Sequence, residues 1–196
     1  MRKLPKGQSN LDKTFEKLLA KKLELSPHQM TAEEYRYIGS FLGNVNFLVF
    51  GTGHDTPLWR YANKGGLTVF LENNRKWIKK EDTDVYKVTY TTKRAEQEKL
   101  LEEYHNGIFD NLQMTLPDVV NNTKWDVIFV DSPVGTNDKK PGRMQSIFTA
   151  SILANKDTEV FVHDCDRKVE DTYSKAMFSK TVKELSKLRH VVHERV

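Results

Sequence analysis

Two apolar runs late in the chain each end in side chains that can do acid–base or metal chemistry. Asp131 follows the first run, and His163, Asp164 and Asp166 follow the second. Carboxylates gathered in one place repel one another unless a proton or a cation joins them. The three acids are therefore predicted either to bind a divalent metal ion that lowers the pKa of a substrate hydroxyl, or to supply one general base while another acid pairs with Arg167. His163, whose ordinary pKa is about 6.5, can accept a proton from an alcohol, so a catalytic role is predicted for it as well as for the acids.

An earlier apolar run ends in the turn Gly51-Thr52-Gly53, which is typical of the place where an α/β protein brings its backbone against a nucleotide-like cofactor. Gly51 can adopt a positive φ, and Gly53 leaves room for a ligand beside the main chain. Glu72 lies about 20 residues further on, where an acid accepts hydrogen bonds from ribose hydroxyls or, alternatively, caps the next helix. No third glycine completes the dinucleotide pattern, which argues against NAD and for a cofactor with a ribose but no pyrophosphate, such as S-adenosylmethionine. Asp131 is predicted to contact this cofactor as well as the acceptor.

Further binding residues are predicted from their places beside these turns. His54 follows the glycine turn and bonds either the backbone or the polar end of the cofactor, and Thr91 is a second predicted cofactor contact. Arg143 begins a helix after a rigid Pro-Gly turn, where its planar fork suits a carboxylate of a uronic acid or of the cofactor. Arg143, Arg167 and Tyr90 make up the predicted substrate-binding set.

The composition is that of a globular protein with one domain. The chain has 196 residues, of which 38% are hydrophobic and 30% charged, and this length suffices for a core without disulfides or structural metals. The one cysteine, Cys165, excludes an internal disulfide and indicates a reducing compartment or one in which disulfides are not needed. Its acidic neighbours make it a poor nucleophile. No apolar run approaches the roughly 18 residues of a membrane helix, and no secretory leader is evident. The net charge of +4 is modestly basic, but aromatic residues do not interleave with arginines, so no nucleic-acid partner is predicted.

Apolar runs and helical periodicities alternate through most of the chain, which predicts an α/β fold with a parallel sheet covered by helices on both faces. The strands are predicted over Phe47–Phe50, Thr68–Leu71, Val85–Thr89, Val127–Val130 and Val160–Val162. The helices are predicted over Thr56–Ala62, Asn74–Lys79, Lys93–Glu103, Met144–Ala154, Val169–Met177 and Lys180–Lys187, with a last strand over His190–Glu194.

The N-terminal part is predicted to be helical. Leu11–Glu24 carries apolar residues at helical spacing, Ser26-Pro27 ends that helix, and Thr31 with Glu34 forms a capping box that begins the next. These helices are expected to cover one face of the sheet or one side of the cofactor. The predicted organisation is a flexible tail over residues 1–10 and one domain over 11–196, with N-terminal helices over 11–44 and an α/β core over 45–196. Little chain follows the fifth strand, so the carboxyl end of the fold is expected to be shortened.

Several sequence blocks occur in a characteristic order along the chain. They are Gln29-Met30-Thr31, Asn46–Asp55, Gly65-Gly66 with Thr68–Glu72, Tyr90-Thr91-Thr92-Lys93, Trp125–Pro133, Pro141–Met144 with Thr149-Ala150, and Phe161–Arg167 with Val169-Glu170-Asp171. Over most of residues 29–178 the chain thereby resembles the glucuronoxylan 4-O-methyltransferase family of plants, whose members methylate glucuronic acid side chains of xylan. The resemblance implies a Rossmann-like S-adenosylmethionine-dependent methyltransferase sheet. It places Gly51, Gly53 and Glu72 at the cofactor, and Asp131 and His163–Asp166 on the acceptor side, with or without a metal ion.

The predicted function is S-adenosylmethionine-dependent methyl transfer to a sugar hydroxyl of a polysaccharide or glycan, either glucuronic acid of xylan or a microbial or viral glycan. Two rivals stay open: a metal-dependent O-methyltransferase of small catechol-like molecules, with Trp59 or Tyr173 as aromatic gates, and an inactive cofactor-binding scaffold in glycan assembly. Plant members carry an N-terminal membrane anchor for the Golgi, and none is evident here. The chain is therefore expected to be cytoplasmic or an excised catalytic domain, or to act in the Golgi lumen if it belongs to an anchored plant-type protein.

Overall fold

One seven-stranded sheet organises residues 11–194, which are the residues that the computed structural model describes. The predicted tail over residues 1–10 lies outside the described residues. The strands are β1 Phe47–Phe50, β2 Thr68–Glu72, β3 Val85–Lys87, β4 Val127–Val130, β5 Glu159–Val162, β6 Lys180–Leu185 and β7 Leu188–Val192. Their order in the sheet is β3-β2-β1-β4-β5-β7-β6.

The strand order reverses between β1 and β4, two adjacent strands near the centre of the sheet. From β1 the chain builds outwards through β2 and β3 on one side, and then returns to build through β4 and β5 on the other. These five strands are parallel, and Phe50 at the end of β1 lies opposite Val130 at the end of β4. Open α/β sheets bind their ligands at such a switch point, beyond the carboxyl ends of the strands. The predicted parallel α/β architecture is confirmed, and it fixes where the site must lie.

Helices cover both faces of the sheet. They are α1 Lys13–Leu25, α2 Ala32–Gly39, α3 Thr56–Ala62, α4 Gln97–His105, α5 Asp118–Asn121, α6 Met144–Leu153 and α7 Lys168–Met177, with short 3-10 turns at Arg75–Trp77 and Arg94–Glu96. The predicted helix over Asn74–Lys79 is reduced to the first of these turns, where the Asn74 side chain accepts a hydrogen bond from the Lys76 backbone. Among residues 11–194, no helix combines the length and apolar character needed to cross a bilayer.

Alternate side chains of β1 enter two separate cores. Leu48 and Phe50 pack on one face of the sheet with residues of α6 and α7. Phe47 and Val49 pack on the opposite face with residues of α1, α2 and α3. Because the central strands are buried on both faces, they appear in the sequence as continuous apolar runs, and their predicted bounds are correct to within one or two residues.

The N-terminal helices begin at side-chain caps. Asp12 Oδ1 accepts hydrogen bonds from the backbone N–H groups of Thr14 and Phe15 at the start of α1, at 2.9 and 3.1 Å. The predicted capping box of α2 is present, with Thr31 Oγ1 accepting from Glu34 N at 3.3 Å and Glu34 Oε2 accepting from Thr31 N at 2.6 Å. These caps fix where α1 and α2 begin, and the second cap therefore fixes where the connection between the two helices ends.

The carboxyl-terminal end of the fold differs from the prediction. The predicted helix over Lys180–Lys187 is wrong, because Lys180–Leu185 forms β6 and pairs with β7 through a two-residue turn in which Ser186 has φ 51°. This hairpin completes the edge of the sheet, so the expected shortening of the carboxyl end is also wrong. The charged residues of β6 favour helices when read alone, yet the same residues suit an exposed edge strand, and pairing with the buried β7 decides between them.

Candidate active site

A cleft of about 610 Å³ opens at the carboxyl ends of β1, β2 and β4, where the switch point places a ligand. Its size is within the range of small-molecule and cofactor sites. The lining comes from four parts of the chain: the α1–α2 connection, the glycine turn, the segment after β2 and the segment after β4. The lining residues are Ser26, Gln29, Val49, Gly51–Asp55, Glu72–Asn74, Trp77, Phe129, Asp131, Ser132, Val134, Lys140 and Pro141.

The glycine turn forms one wall of the cleft. Gly51 has φ 113°, and a Cβ at this position would lie 2.8 Å from the Cβ of Ser132. Gly53 N donates a hydrogen bond to Thr56 Oγ1 at 3.0 Å, which closes the turn and leads into α3. Only glycine fits at the first position, because both the backbone conformation and the approach of the chain after β4 exclude a side chain. The structure thus places Gly51 and Gly53 where the sequence analysis predicted a cofactor contact.

Glu72 ends β2 inside the cleft and ties two loops together. Its Oε2 accepts hydrogen bonds from Thr52 N and Thr52 Oγ1 at 3.0 and 2.9 Å, and its Oε1 accepts one from Asn74 N at 2.6 Å. The alternative capping role of this acid is therefore present. Each carboxylate oxygen carries two lone pairs, so ribose binding by Glu72 stays compatible with these contacts and stays a prediction.

Asp131 and His163 form the acid–base pair of the site. The Asp131 carboxylate, whose side chain is 27% exposed, lines the cleft, whereas the His163 side chain is only 4% exposed. Oδ1 of Asp131 lies 3.0 Å from Nδ1 of His163. On the far side of the ring, His163 Nε2 is buried without a hydrogen-bond partner among the described residues, 3.9 Å from Glu34 Oε1. The carboxylate, rather than the imidazole, is therefore the group that a substrate in the cleft can reach.

The pair holds its charges through its neighbours. Burial by itself would raise the pKa of Asp131, but the Arg143 guanidinium and the hydrogen bond with His163 together lower it below its ordinary value. Burial by itself would lower the pKa of His163, but the hydrogen bond and charge of Asp131, with the charge of Asp164, raise it above its ordinary value. Asp131 is thus kept ionised, and the imidazolium form of His163 is favoured.

Arg143 is buried and binds the acids of the protein itself. Its Nη2 donates to Asp131 Oδ1 at 3.0 Å and to Asp164 Oδ2 at 2.6 Å. Its Nη1 donates to the carbonyl of His163 at 2.7 Å, and its Nε lies 3.4 Å from the carbonyl of Pro133. The prediction that Arg143 binds a substrate carboxylate is therefore corrected. Its guanidinium instead joins the segment after β4 to the segment after β5.

Asp164 and Asp166 have separate environments. Asp164 is buried with φ 63°, and its Oδ2 also lies 2.9 Å from Arg167 Nη1, so one of the acids pairs with Arg167 as predicted and this arginine is engaged with the protein. Asp166 is about half exposed and lies 3.5 Å from Lys187 Nζ on the hairpin turn. It is not part of the Asp131–His163 cluster, which corrects its predicted catalytic and metal-binding roles. The turn after β5 points Asp164 inwards and leaves Asp166 at the surface.

A group of three residues has the donors for a metal ion. One atom each of Asp131, His163 and Asp164 lies within 4.8 Å of the others. Two carboxylates and an imidazole suit several divalent ions. Asp131 Oδ2 has no hydrogen-bond donor among residues 11–194, although Arg143 already shares its positive charge with both acids. The metal stays a prediction, with His163 replacing Asp166 in the predicted ligand set.

Two of the predicted contacts after β3 lie outside the cleft lining. The Tyr90 hydroxyl accepts a hydrogen bond from Ser146 Oγ at 3.1 Å, and burial raises its pKa. Thr91 N donates to Gln145 Oε1 at 2.9 Å, and Thr91 Oγ1 accepts from Gln145 Nε2 at 3.0 Å. Both residues are therefore held against α6, and their predicted binding roles stay predictions. Gln145, which holds this segment on α6, carries no motif that could have identified it.

His54 does line the cleft, beside residues that the sequence analysis missed. Its Nδ1 lies 3.0 Å from Ser26 Oγ, and its ring packs edge-on against Trp77 with centroids 5.3 Å apart. Ser26 and Gln29, from the α1–α2 connection, reach the same cleft. Of the two expected positions of the N-terminal helices, the cover of one sheet face is confirmed. Cover of the cofactor stays a prediction, which the connection between these helices supports because it lines the cleft. Cys165 stays a poor nucleophile, since burial raises its pKa to about 11.

Comparison with known proteins adds a family and a fold. Residues 38–191 match the family model described as IRX15/IRX15L/GXM. The chain is 36% identical over 190 residues to glucuronoxylan 4-O-methyltransferase 1 of Arabidopsis thaliana, an alignment that covers 84% of this chain and 67% of that protein. It is 39% identical over 154 residues to arabinogalactan O-methyltransferase 2 of Arabidopsis thaliana, which covers 66% of this chain and 53% of that protein. The chain thus spans between about half and two thirds of the length of these relatives.

Among solved structures, the fold is similar to that of MycE methyltransferase from the mycinamycin biosynthetic pathway, determined in complex with Mg and SAH. The TM-score is 0.51 at 10% sequence identity, and the match covers 92% of this chain and 49% of that chain. The predicted Rossmann-like methyltransferase sheet is confirmed at the level of the fold.

Proposed function

The chain belongs to the IRX15/IRX15L/GXM family, and we propose that it transfers a methyl group from S-adenosylmethionine to a sugar hydroxyl of a polysaccharide. The observation that carries this proposal is the position of Asp131. It lines the same cleft as the glycine turn and Glu72, and it is backed by His163 and Arg143. One cleft therefore has a donor side and an acceptor side, as direct transfer between two bound substrates requires.

The donor side consists of the glycine turn and Glu72. Gly51 and Gly53 leave the main chain free of side chains next to the ligand, and Glu72 offers a carboxylate for ribose hydroxyls. When bound, S-adenosylmethionine supplies a methyl group that is already activated on a sulfonium centre. The protein therefore needs to supply position and a proton acceptor rather than a covalent intermediate.

The acceptor side consists of Asp131. Its ionised carboxylate accepts the hydrogen bond of a sugar hydroxyl, which orients the oxygen lone pair towards the donor. The oxygen would form its bond to the methyl carbon as the carbon–sulfur bond of the donor breaks and leaves a neutral thioether, and the hydroxyl proton would pass to Asp131. A divalent metal held by Asp131, His163 and Asp164 would lower the pKa of the same hydroxyl.

His163 and Arg143 act on the acceptor through Asp131. Both contact Oδ1 of the carboxylate at 3.0 Å, which leaves Oδ2 for the hydroxyl. Their bonds fix the orientation of the acid, and their positive charge stabilises its ionised form at neutral pH. The effect of each should therefore appear in the turnover rate and its pH dependence more than in the affinity for the cofactor.

A polysaccharide that carries uronic acids is the acceptor that we favour. The relatives are named for action on glucuronoxylan and arabinogalactan, which supports a polysaccharide. Lys140 lines the cleft from an exposed loop and forms no ion pair with the described residues, so it is free to bind a carboxylate. Trp59 and Tyr173, the gates of the catechol-type alternative, are each 1% exposed and so do not face an acceptor.

Transfer of labelled methyl from S-adenosylmethionine to a panel of glycans tests this function. The panel contains glucuronoxylan, arabinogalactan, their carboxyl-reduced forms and a catechol. Labelling of the uronate-bearing polymers supports the proposal, and labelling of the catechol alone favours the small-molecule enzyme. Binding of S-adenosylhomocysteine without labelling of any acceptor favours the inactive scaffold.

A further inference from the structure

A buried lysine on α1 carries a charge without a counterion. Lys22 is 1% exposed, and it forms no ion pair with any residue of the described range 11–194. Its Nζ donates to Gln29 Oε1 at 2.9 Å and lies 3.5 Å from the carbonyl of Ser26, so one N–H of the ammonium has no oxygen partner there. The ammonium also lies 5.3 Å from the centroid of the Tyr35 ring, which is uncharged as well. Burial of an ammonium with only neutral partners is costly, which is a reason to look for an anion that binds there.

The contacts of Lys22 place it at the edge of the cleft. Ser26 and Gln29, which hold its ammonium, both line the cleft of about 610 Å³. Lys22 itself lines an adjoining cavity of about 250 Å³, which shares Thr52, Gly53 and His54 of the glycine turn with the cleft. Burial lowers the pKa of Lys22, and the charges of Asp55 and Asp131 oppose that effect, in keeping with two carboxylates nearby.

Asp55 places a carboxyl group in the same part of the cleft. Burial and the charge of Asp131 raise its pKa, and the nearby ammonium of Lys22 opposes that effect, as the ammonium of a bound ligand also would. Asp55 lies at the start of α3 and lines the cleft, yet it makes no side-chain cap to that helix. Its Oδ2 accepts a hydrogen bond from Trp59 Nε1 at 3.0 Å, and its Oδ1 has no donor among the described residues. A carboxylate and an ammonium that do not pair with each other, beside one glycine turn, are complementary to a ligand that carries both charges.

We propose that Lys22 and Gln29 bind the α-carboxylate of the methyl donor while Asp55 binds its α-ammonium. This inference rests on the proposed function, since it assigns the amino-acid end of S-adenosylmethionine to one part of that cleft. A uronate of the acceptor would satisfy Lys22 but would leave Asp55 without a partner, so the paired charges favour the zwitterionic donor. The carboxylate accepts hydrogen bonds from the remaining N–H of Lys22 and from an N–H of the Gln29 amide nitrogen, while the amide oxygen of Gln29 orients the lysine.

The same contacts make the α1–α2 connection a cover for the donor. Ser26 bonds His54 of the glycine turn at 3.0 Å, and Lys22 holds Gln29 on the opposite side of the connection. A donor bound beneath this connection would be enclosed by residues that precede the methyltransferase sheet in the chain. The N-terminal helices would then contribute to donor affinity as well as to the core.

Calorimetric titration with two ligands tests the assignment. The ligands are S-adenosylhomocysteine and its decarboxylated analogue, which keeps the amine and lacks the α-carboxylate. Lys22→Met is expected to weaken the affinity for S-adenosylhomocysteine about ten-fold or more, which is the loss that one charge-assisted hydrogen bond accounts for. The same variant should change the affinity for the analogue by less than about two-fold. Lys21→Met, at the exposed neighbouring lysine that lines the small cavity, is the matched control and should leave both affinities unchanged.

Two further variants keep the test independent of folding. Gln29→Leu alters an exposed position. It is expected to weaken the affinity for S-adenosylhomocysteine but not for the decarboxylated analogue, and by a smaller factor than Lys22→Met does. Asp55→Asn is expected to weaken both ligands alike, because both carry the amine. If Lys22→Met fails to fold, the selectivity of Gln29→Leu decides the question.

The outcomes separate this inference from the proposed function. A wild-type protein that binds neither ligand overturns both. A wild-type protein that binds both ligands equally well, or a Lys22→Met variant that weakens both by the same factor, overturns the inference and leaves methyl transfer standing. Lys22→Met could also leave the affinity for S-adenosylhomocysteine unchanged and raise the KM for a uronate acceptor but not for its carboxyl-reduced form. That result overturns the inference and shows that Lys22 binds the acceptor carboxylate instead.

Discussion

Asp131 Oδ1 lies 3.0 Å from His163 Nδ1, and of these two side chains only the carboxylate reaches the cleft. The imidazole is buried behind it, with its other nitrogen turned towards Glu34. A histidine in this position cannot be the first acceptor of a substrate proton. Instead, His163 determines the charge and orientation of Asp131, which is the first proton acceptor. Experiments should therefore distinguish the roles of the two residues.

The contribution of His163 to stability should depend on pH. Its raised folded pKa means that its ion pair with Asp131 stabilises the fold fully below the unfolded value of about 6.5, and that this contribution is lost as the pH rises through the folded pKa. The lowered pKa of Asp131 preserves the pair on the acid side until the pH falls through that lowered value. The difference in unfolding free energy between the wild type and His163→Gln, measured by urea denaturation with a chelator present, should therefore be larger near pH 5.5 than near pH 9. These pH values lie about 1 unit below and about 2.5 units above the ordinary pKa of about 6.5. An equal difference at both pH values would contradict the ion pair.

Loss of the Arg143 guanidinium should destabilise the fold strongly. Arg143→Met would leave Asp131 and Asp164 without their shared donor, and removal of one partner from a buried ion pair costs about 3–5 kcal/mol. Arg167→Met is the matched control, because Arg167 is 35% exposed and its ion pair within residues 11–194 is with Asp164, and a partly exposed pair contributes about 1 kcal/mol or less. Chemical denaturation of the two variants measures both costs, and similar values would show that Arg143 does not hold the acids together.

Gly51→Ala should damage the cleft more than a glycine substitution at a comparable backbone angle elsewhere. The added Cβ would meet the Ser132 side chain at 2.8 Å in addition to the strain of φ 113°. Gly107→Ala carries the strain alone, since φ is 76° and no atom lies within 4 Å of the added Cβ, and such strain costs about 1–2 kcal/mol. Affinity for S-adenosylhomocysteine should fall in Gly51→Ala and stay unchanged in Gly107→Ala. Retained affinity in Gly51→Ala would argue against the turn as the donor site.

Any dependence of activity on divalent metal should follow Asp164 and not Asp166. Asp164 belongs to the group of possible ligands with Asp131 and His163, whereas Asp166 lies near Lys187 at the surface. Chelation followed by metal titration measures the concentration for half-maximal activity. Asp164→Asn should raise it, and Asp166→Asn should not change it. A shift in Asp166→Asn would return Asp166 to the ligand set, and a wild-type activity indifferent to chelator would remove the metal.

The sequence predicts the buried elements of this fold well and its edge poorly. Strands such as Val127–Val130 are apolar at every position because both faces of the sheet are covered, and a short apolar run of this kind is typical of a central parallel strand. Lys180–Leu185 is wrongly predicted as part of a helix because its exposed lysines and glutamate suit either structure, and only pairing with β7 selects the strand.

The site shows the same division between local and long-range information. Asp131, His163 and Glu72 could be predicted because each follows or ends a strand, and strand ends meet at one edge of a parallel sheet. The role of Arg143 could not, because it depends on a 2.6 Å contact with Asp164, 21 residues further along the chain. Lys22 comes to the edge of the cleft, against Gln29, only through the packing of α1, which no local pattern reveals.

Methyl transfer by Asp131→Asn, measured beside its affinity for S-adenosylhomocysteine, tests the central claim most directly. The wild type should transfer labelled methyl to a uronate-bearing polysaccharide. The amide, which has the same shape but cannot take up the proton, should lower kcat by about 10² to 10⁴ while cofactor affinity stays within about three-fold. Turnover close to that of the wild type would contradict the role of Asp131 as the proton acceptor, and a collapse of cofactor affinity would move this residue to the donor side of the cleft.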